Sequence, residues 1–443
     1  MGSDATVQAA VASVVKSQPE DSRWVVAFSG GRDSTVLLHA LKQHTDLAVR
    51  AVFVDHGLQP AVRSQWLAHV RSATQALGTS LVVLDASSQV PTGESLEAHA
   101  RQERYRLLAE NLAIGEILVT AQHADDQAET VLLQLLRGAG PSGLSAMPRI
   151  AAFGRGILIR PLIHLETGVV ESHATTNGLE WFDDPSNLST RFDRNYLRHE
   201  VMPNVHKRWP SAANTLGRAA GWQRQAANAL ARQALADWQA ACQPLSGLAS
   251  CERLAKLPDT RVAEALRAGI RGAGLTMPSA SRLQSIVTLT RAASGKGLVG
   301  WEGGSARRYR DRLYLLDALA VEPTGFQQAW DGRSTLVLPQ GYGAMCLLPE
   351  PAMALELRCH FREPGLRVCE VSGHSKSFAQ WCQERAIAPW MRSRIPLLSA
   401  SDELVAIGGK RLSGWHKLGV TATPSWIDSP ELGLSANPGS GIV

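Results

Sequence analysis

Short apolar runs alternate with longer amphipathic stretches over roughly the first third of the chain. The runs predict strands at residues 24–28, 49–55, 80–84, 116–120 and 157–159. The stretches between them predict helices at 35–41, 62–77, 94–113 and 125–136, after a short helix within residues 1–20. Alternating strands and helices predict a parallel, doubly wound α/β sheet, whose ligand lies beyond the carboxyl ends of the strands.

The alternation ends near residue 191, and the rest of the chain predicts further domains. An Ala-rich helix is predicted at 211–238, and a helical, basic region follows that ends in a hairpin at 306–316. Residues 322–351 are rich in Gly and Pro, whereas 358–426 contain a helix at 377–385 and a strand at 403–407. We predict an α/β domain at 1–210, a connecting helix at 211–240, a mainly helical domain at 241–320, a linker at 321–357 and a small α+β domain at 358–443.

Composition is that of a globular protein. The 443 residues exceed one ordinary domain, and 44% of them are hydrophobic while 19% are charged. No apolar run reaches membrane-spanning length and the start of the chain lacks signal-peptide features, so we expect a cytoplasmic protein. All six cysteines lie beyond residue 241 without a CxxC pair, which favours buried or idle thiols over a disulfide framework.

Positive charge is concentrated in the second half of the chain. The net charge is +5, and residues 261–312 hold ten Lys or Arg against three Asp or Glu. This stretch is either a solvated face or a surface for an anionic partner.

The first predicted strand leads into Ser29-Gly30-Gly31-Arg32-Asp33-Ser34. Two glycines allow a sharp turn and a close approach to a ligand, and the N-terminus of the following helix favours an anion such as phosphate. An ordinary strand-to-helix turn with a Ser or Asp cap fits equally well. The loop contains neither GxxxxGK[ST] nor GxGxxG, and its SGGxDS pattern resembles the pyrophosphate loop of the ATP pyrophosphatases.

The fourth predicted strand leads into a polar cluster that contains His123, Asp126 and Glu129. The two acids lie three residues apart on one helix face, at the same sheet edge as the glycine loop. They suit a cationic substrate, a metal ion or both, although acids are also common at helix N-termini for electrostatic reasons.

Longer motifs resemble the tRNA(Ile)-lysidine synthetases, a family of ATP pyrophosphatases. They are VDHGL at 54–58, EAHARQERY at 97–105, TAQHADDQAETVLLQLLRGAGPSGLSAM at 120–147, RPL at 160–162, WFDDPSNLSTRFDRNYLR at 181–198 and, more weakly, PWMRSRIPLL at 389–398. Gln122-His123 stands where the family usually has two histidines, which puts a role for the first imidazole in doubt.

The resemblance implies a catalytic domain with an adenine nucleotide alpha-hydrolase-like fold, followed by two tRNA-binding domains. It implies that ATP, with Mg²⁺, activates the wobble cytidine of an isoleucine tRNA with a CAU anticodon, and that L-lysine then displaces AMP to give lysidine. Residues 29–34 would bind ATP, with Asp33 as the ligand of Mg²⁺. Arg101 and Arg194 would meet the phosphate charge, and Asp126, Glu129 and His123 would bind lysine and accept its proton.

Three alternatives compete with this interpretation. A cytidine thiolase would need cysteines near the nucleotide, and residues 1–241 contain none. An amidotransferase-type synthetase would need a glutaminase domain with a cysteine nucleophile, and none precedes the loop. A non-catalytic RNA-binding relative would not need Asp33, Asp126 and Glu129. The sequence leaves open whether the chain forms a homodimer.

Overall fold

A computed structural model describes residues 6–44, 47–57, 61–86, 96–244, 247–293, 296–319, 321–339, 341–362, 365–370 and 373–427. The chain divides into two compact units, Met1–Asn228 and Ala229–Val443. Among the described residues, no helix combines the length and the apolar character needed to cross a membrane.

The first unit is built on a six-stranded sheet with the strand order β3-β2-β1-β4-β6-β5. The strands are β1 (Arg23–Ala27), β2 (Ala48–Asp55), β3 (Ser80–Asp85), β4 (Glu116–Val119), β5 (Ile150–Phe153) and β6 (Gly156–Ile159). All neighbouring strands are parallel except β5, which pairs antiparallel with β6. The predicted parallel sheet is confirmed, and the short, Ala-containing β5 is an addition that the sequence pattern did not reveal.

Helices cover both faces of this sheet. Residues of α1 (Val7–Val15), α2 (Arg32–Lys42), α3 (Arg63–Ala76), α4 (Leu96–Asn111) and α7 (Thr167–Thr176) share clusters with the strands. The other helices are α5 (Ala124–Leu136), α6 (Pro141–Leu144), α8 (Asp193–Tyr196), α9 (Met202–Arg208) and α10 (Ala212–Ala241), which continues into the second unit. Trp24 and Val26 of β1 pack with α1, α2 and α7, whereas Val25 packs on the other face with Leu108 and Leu112 of α4. Because successive strand residues point to opposite faces, the continuous apolar run of β1 serves two cores.

The second unit begins with helices and a four-stranded antiparallel sheet. The helices are α11 (Cys251–Ala255), α12 (Asp259–Gly272) and α13 (Ala280–Arg291). The strands are β7 (Ala249–Ser250), β8 (Lys296–Trp301), β9 (Gly304–Tyr309) and β10 (Arg312–Leu316). β9 and β10 form the predicted hairpin, in which Tyr309 pairs with Arg312.

The rest of the second unit is rich in strands. A five-stranded sheet contains β11 (Gln327–Trp330), β14 (Leu357–His360), β17 (Leu397–Ala400), β18 (Glu403–Ile407) and β19 (Lys410–Arg411). Smaller sheets contain β12 (Leu336–Val337), β13 (Ala344–Leu348) and β20 (Thr423–Ile427), and β15 (Arg367–Cys369) with β16 (Ser375–Ser377). The helix predicted at 377–385 is α14 (Phe378–Glu384).

Residues 321–357, for which the sequence predicts a linker, contribute strands to these sheets. β11 pairs with β14, and β13 pairs with β20 near the end of the described chain. Glycines with positive φ, including Gly332 and Gly343, form tight turns that separate the short strands. The Gly- and Pro-rich composition therefore reflects turns between strands rather than an unstructured connection.

Candidate functional site

The loop between β1 and α2 places its backbone at the carboxyl edge of the sheet. Gly30 has φ +77°, a conformation that side chains with a Cβ rarely adopt. A Cβ on Gly30 would lie 2.8 Å from Val70 Cγ2, so the position also lacks room for a side chain. The Gly30 carbonyl accepts a hydrogen bond of 2.9 Å from Phe182 N, which ties the loop to a distant part of the chain.

The first turn of α2 begins at this loop without a side-chain cap. Gly31 is the N-cap residue, and Ser34 Oγ donates to the Gly31 carbonyl at 2.9 Å. Ser29 Oγ accepts a hydrogen bond of 3.3 Å from Gly31 N and lies 3.1 Å from Ser34 Oγ. The N–H groups at the start of a helix carry partial positive charge, so this arrangement suits an anion.

Asp33 provides a carboxylate within that turn. Arg32 Nε donates to Asp33 Oδ1 at 2.9 Å, and Arg32 also pairs with Glu171 of α7. Asp33 Oδ2 lies 3.5 Å from His123 Nε2. Burial disfavours the ionised form, but the hydrogen bonds and charges of His123 and Arg32 outweigh it and lower the pKa of Asp33 to about 2. Asp33 is therefore a carboxylate at neutral pH.

His123 lies immediately before α5, with a side chain that is only 4% exposed. Its Nε2 lies 3.5 Å from an oxygen of both Asp33 and Asp126, and its Nδ1 lies 3.7 Å from Asp125 Oδ2. Burial opposes protonation, but the three carboxylates outweigh it and raise the pKa of the imidazole. The structure thus favours a cationic His123 between the loop and the α5 acids.

Asp125, which the sequence did not single out, lies beside His123 and is tied to two further helices. Its Oδ2 accepts hydrogen bonds from Thr167 N at 2.9 Å and from Thr167 Oγ1 at 2.7 Å, at the start of α7. Its Oδ1 lies 3.2 Å from His206 Nε2 of α9. These contacts fix the N-terminal turn of α5.

Asp126 and Glu129 form ion pairs with two arginines. Arg194 donates to Asp126 Oδ1 at 2.9 Å and to Glu129 Oε2 at 2.7 Å. Arg198 donates to the same Asp126 oxygen at 2.8 Å and to Glu129 Oε1 at 2.7 Å. The acids are 8% and 2% exposed, and buried carboxylates need such partners. Despite burial, His123, Arg194 and Arg198 hold the pKa of Asp126 below its usual value.

Arg198 was missed at the sequence level, although it ends the quoted motif at 181–198. It lies four residues after Arg194, in a π-helical turn at Leu197–Val201 that continues α8. Residues four apart share a helix face, so the spacing was a signal that the two guanidinium groups lie together. π-Turns within helices are frequent at functional sites.

Arg101 makes no described contact with Asp126, Glu129, Arg194 or Arg198. It is exposed on α4, with its guanidinium 5.1 Å from the centre of the Tyr105 ring. In the described part of the chain, no hydrogen bond or ion pair joins Arg101 to Asp126 or Glu129.

Arg104, one turn further along α4, donates its Nε to His56 Nε2 at 3.1 Å. Burial and the charge of Arg104 lower the pKa of His56 to about 4. His56 is therefore neutral at physiological pH, and it accepts this hydrogen bond at the end of β2.

The side chains at this site could bind Mg²⁺ only together with a nucleotide. Across the described ranges, no group of three or more His, Cys, Asp or Glu side chains is suited to hold a metal ion. Mg²⁺ commonly binds nucleotides through one or two protein carboxylates plus phosphate oxygens. The ionised Asp33 lies beside a loop suited to phosphate and pairs with one arginine, Arg32, so it fits this mode better than Asp126 and Glu129, each of which pairs with two arginines.

Comparison with known proteins agrees with the geometry. The chain matches the family model of the PP-loop domain over residues 3–205. It also matches the TilS substrate binding domain over 250–314 and the TilS substrate C-terminal domain over 357–418.

The chain is similar along most of its length to named tRNA(Ile)-lysidine synthases. A tRNA(Ile)-lysidine synthase of Alkalilimnicola ehrlichii is 42% identical over 402 residues, which cover 87% of this chain and 89% of the relative. That of Methylococcus capsulatus is 36% identical, with coverage of 88% and 92%. A solved U34-tRNA thiolase from Methanococcus maripaludis is 16% identical with a TM-score of 0.41, over 48% of this chain and 77% of that one. A likeness this distant carries no argument about function.

Proposed function

The chain belongs to the tRNA(Ile)-lysidine synthase family, and we propose that it joins L-lysine to carbon 2 of the wobble cytidine of a CAU-anticodon isoleucine tRNA. The reaction makes it an ATP-dependent, AMP-forming carbon–nitrogen ligase. The observation that carries the proposal is the position of a phosphate-suited loop beside a buried acid cluster, within a chain similar to named synthases along most of its length.

The reaction would proceed in two steps. The 2-oxygen of the cytidine attacks the α-phosphorus of ATP, and the bond to the β-phosphate breaks with release of pyrophosphate. The ε-amine of lysine then attacks carbon 2, and the bond to the activated oxygen breaks with release of AMP. The amine must lose its protons, so a base or water has to accept them.

ATP binding is assigned to residues 29–34. The N–H groups at the start of α2 would hold phosphate oxygens, because the turn has no side-chain cap and Gly30 leaves the backbone accessible. Asp33 would hold Mg²⁺ jointly with those oxygens, and the ion would neutralise charge on the phosphates. Within this loop, the side chain of Arg32 pairs with Glu171 of α7.

Lysine binding is assigned to Asp126 and Glu129, whose carboxylates match its ammonium groups. Arg194 and Arg198 occupy both acids in this structure. Lysine must therefore displace one guanidinium or share the carboxylates with it. We propose that Arg194 leaves the acids during the cycle and binds the negative charge on the α-phosphate and pyrophosphate. Arg101 would be a second cation at the cleft.

His123 then acts as a charged bridge rather than as the first proton acceptor. The carboxylates of Asp33 and Asp126 raise its pKa, which favours the protonated imidazole in the absence of substrates. A carboxylate of the acid pair is then the acceptor for the proton of lysine once an arginine has moved away.

The tRNA would contact the basic region at 261–312 and the segment at 389–417, since phosphate contacts dominate RNA affinity. We assign the catalytic role to 1–210 and tRNA binding to 241–320 and 358–443. A tRNA substrate also supports the expected cytoplasmic location. A thiolase is disfavoured, because the six free cysteines all lie beyond residue 241 and burial raises the pKa of Cys251, Cys359 and Cys382.

The decisive experiment mixes purified protein, ATP, Mg²⁺ and radiolabelled lysine with a transcript of isoleucine tRNA that carries a CAU anticodon. We expect label in the tRNA together with release of AMP and pyrophosphate, and much less label in methionine tRNA, which shares the anticodon. Asp33→Ala should reduce formation of the adenylated tRNA by at least about a hundredfold. If wild-type protein binds ATP and this tRNA but incorporates no lysine, the proposal is wrong.

A further inference from the structure

Two arginines of the first unit bind the short segment at 145–149, and this segment carries a third arginine, Arg149. Arg224 of α10 donates through Nη2 to the carbonyls of Ser145 and Met147, at 2.6 and 2.8 Å. Arg160 donates through Nη1 to the Pro148 carbonyl at 2.8 Å, and its backbone N donates to the carbonyl of Arg149. Arg149 itself contacts Ser13 Oγ at 3.4 Å.

Among the described residues, these arginines have no counter-charge. In the stretches of chain that the structure describes, none of the three forms an ion pair with a carboxylate. The Nε atom of each is buried and has no hydrogen-bond partner within the described parts of the chain, and Arg160 as a whole is only 6% exposed. Buried donors without partners are costly, and like charges close together add repulsion. A ligand that supplies anionic oxygens would remove both penalties.

The electrostatics of the neighbouring side chains agree with an unneutralised cluster. Burial and the charge of Arg160 lower the pKa of Arg224. Burial and the charges of Arg149 and Arg224 likewise lower the pKa of His164, which lies on the surface close to them. Because Arg149 and Arg224 are only partly buried, an anion can reach the cluster from solvent.

The segment at 145–149 is hydrogen-bonded to the helix that carries the candidate catalytic acids. Arg160 directly follows β6, at the carboxyl edge of the sheet. Gln127 of α5 is bound to Met147 through both its amide oxygen and its amide nitrogen, at 2.9 and 2.8 Å. Gln127 follows Asp126, so the segment that collects the arginines is fixed directly to the helix that carries the acids.

We propose that Arg149, Arg160 and Arg224 form a binding site for one phosphodiester group of the tRNA anticodon arm. The inference rests on the proposed function, and it adds an RNA contact within the catalytic unit. Guanidinium groups bind phosphate through charge-assisted hydrogen bonds. As far as the structure describes the chain, Nη1 of Arg149, Nη2 of Arg160 and Nη1 of Arg224 make no hydrogen bond and are not among the buried atoms, so they are the donors that a phosphate can meet. A phosphate held here would fix the RNA backbone while the wobble base enters the cleft.

The test measures binding of a fluorescent anticodon stem–loop RNA without ATP or lysine, over a range of salt concentrations. Arg149→Gln is the first variant, because its side chain has a single weak contact and its loss should leave the fold intact. Arg224→Gln is the second variant. The matched control is Arg155→Gln, which removes the same charge from an exposed turn at the other edge of the sheet.

We expect each cluster variant to raise the RNA dissociation constant about tenfold, as for loss of a charged hydrogen bond. The slope of log K against log salt should fall by about 0.7–0.9, the value for one phosphate contact. Arg155→Gln should change neither quantity beyond a small uniform effect of charge. Melting temperatures of all variants identify any that fail to fold.

Three outcomes would overturn the inference. In the first, both cluster variants bind RNA as Arg155→Gln does. In the second, they weaken ATP binding in the absence of RNA by the same factor, which would assign the cluster to the nucleotide. In the third, the affinity changes but the salt slope does not. A wild-type protein that binds the stem–loop through these arginines but forms no lysidine would contradict the proposed function alone.

Discussion

Glu129 is almost completely buried, and it accepts hydrogen bonds from both Arg194 and Arg198. We expect Glu129→Ala to weaken the use of lysine more than the use of ATP, because the carboxylate matches the amine. The variant also leaves two guanidinium groups with one acid, which should cost about 3–5 kcal/mol of stability. Steady-state kinetics with each substrate varied, together with denaturant unfolding, measure the two effects.

Glu129→Gln is the matched control, because it keeps the shape and removes only the charge. It should recover much of the stability while lysine use remains impaired. Equal losses in the apparent affinities for lysine and ATP would contradict the division of roles between the acids and the loop.

Asp33 and His123 stabilise each other, and their pKa shifts predict a pH dependence. The pKa of Asp33 is about 2 in the folded protein, against about 3.9 in an unfolded chain. Its contribution is therefore present above about pH 4 and is lost as the pH falls toward 2. The raised pKa of His123 has the opposite effect on stability. Its stabilising contribution is present below the pKa of an unfolded histidine, near 6.5, and is lost as the pH rises through the pKa in the folded protein.

Asp33→Asn should consequently destabilise the nucleotide-free protein by about 1–2 kcal/mol at pH 6. The difference from wild type should shrink as the pH approaches 2. Urea unfolding at several pH values tests this, and Asp193→Asn is a control on an exposed carboxylate. A difference that stays constant from pH 6 to pH 2 would show that the charge of Asp33 is not responsible.

At the scale of elements, the β1–α2 connection depends on the backbone of Gly30. Gly30→Ala introduces a Cβ at φ +77° and 2.8 Å from Val70. We expect a loss of about 1–3 kcal/mol of stability and weaker ATP binding, because the loop must shift. Gly78→Ala is the control, since Gly78 has φ +56° with no atom within 4 Å of an added Cβ. Calorimetric titration with ATP distinguishes backbone strain, which both variants share, from displacement of the loop, which only Gly30→Ala should cause. Equal ATP affinities of the two variants would contradict a role of Gly30 in the site.

Most of the first sheet could be predicted because local patterns determine it. The apolar runs around Trp24 and Leu118 are long enough to mark buried strands. Because the carboxyl ends of parallel strands lie at one edge of the sheet, Asp33, His123 and Asp126 can be predicted to lie together. β5 escaped prediction because the sequence IAAF is too short and too rich in alanine to show a period.

The pairing of charges was harder to predict than the elements. Arg194 and Arg198 reach Glu129 across 65 and 69 residues, by way of a π-turn that no periodicity indicates. The sequence therefore suggested open acids where the structure has ion pairs. The arginine cluster at 145–149 depends likewise on Arg224, which belongs to a helix far along the chain.

At the scale of the whole molecule, the two compact units have separate cores. Clusters around Trp24 and Val25 belong to the first unit, whereas those around Trp381, Trp330 and Leu266 belong to the second. Chains built from more than one compact unit commonly unfold in more than one transition. The proposed ATP site lies entirely within the first unit, so nucleotide binding should act on one transition only.

We therefore expect differential scanning calorimetry to resolve two transitions, of which ATP with Mg²⁺ raises only one. Ligand at a hundred times its dissociation constant adds about 2.7 kcal/mol to the unit that binds it, which corresponds to a rise of about 5–10 °C for a unit of this size. Asp33→Ala should abolish the rise while leaving the other transition in place, because Asp33 belongs to the first unit alone. A single transition that ATP shifts as a whole would show that the units unfold cooperatively, and a shift that persists in Asp33→Ala would place the nucleotide elsewhere.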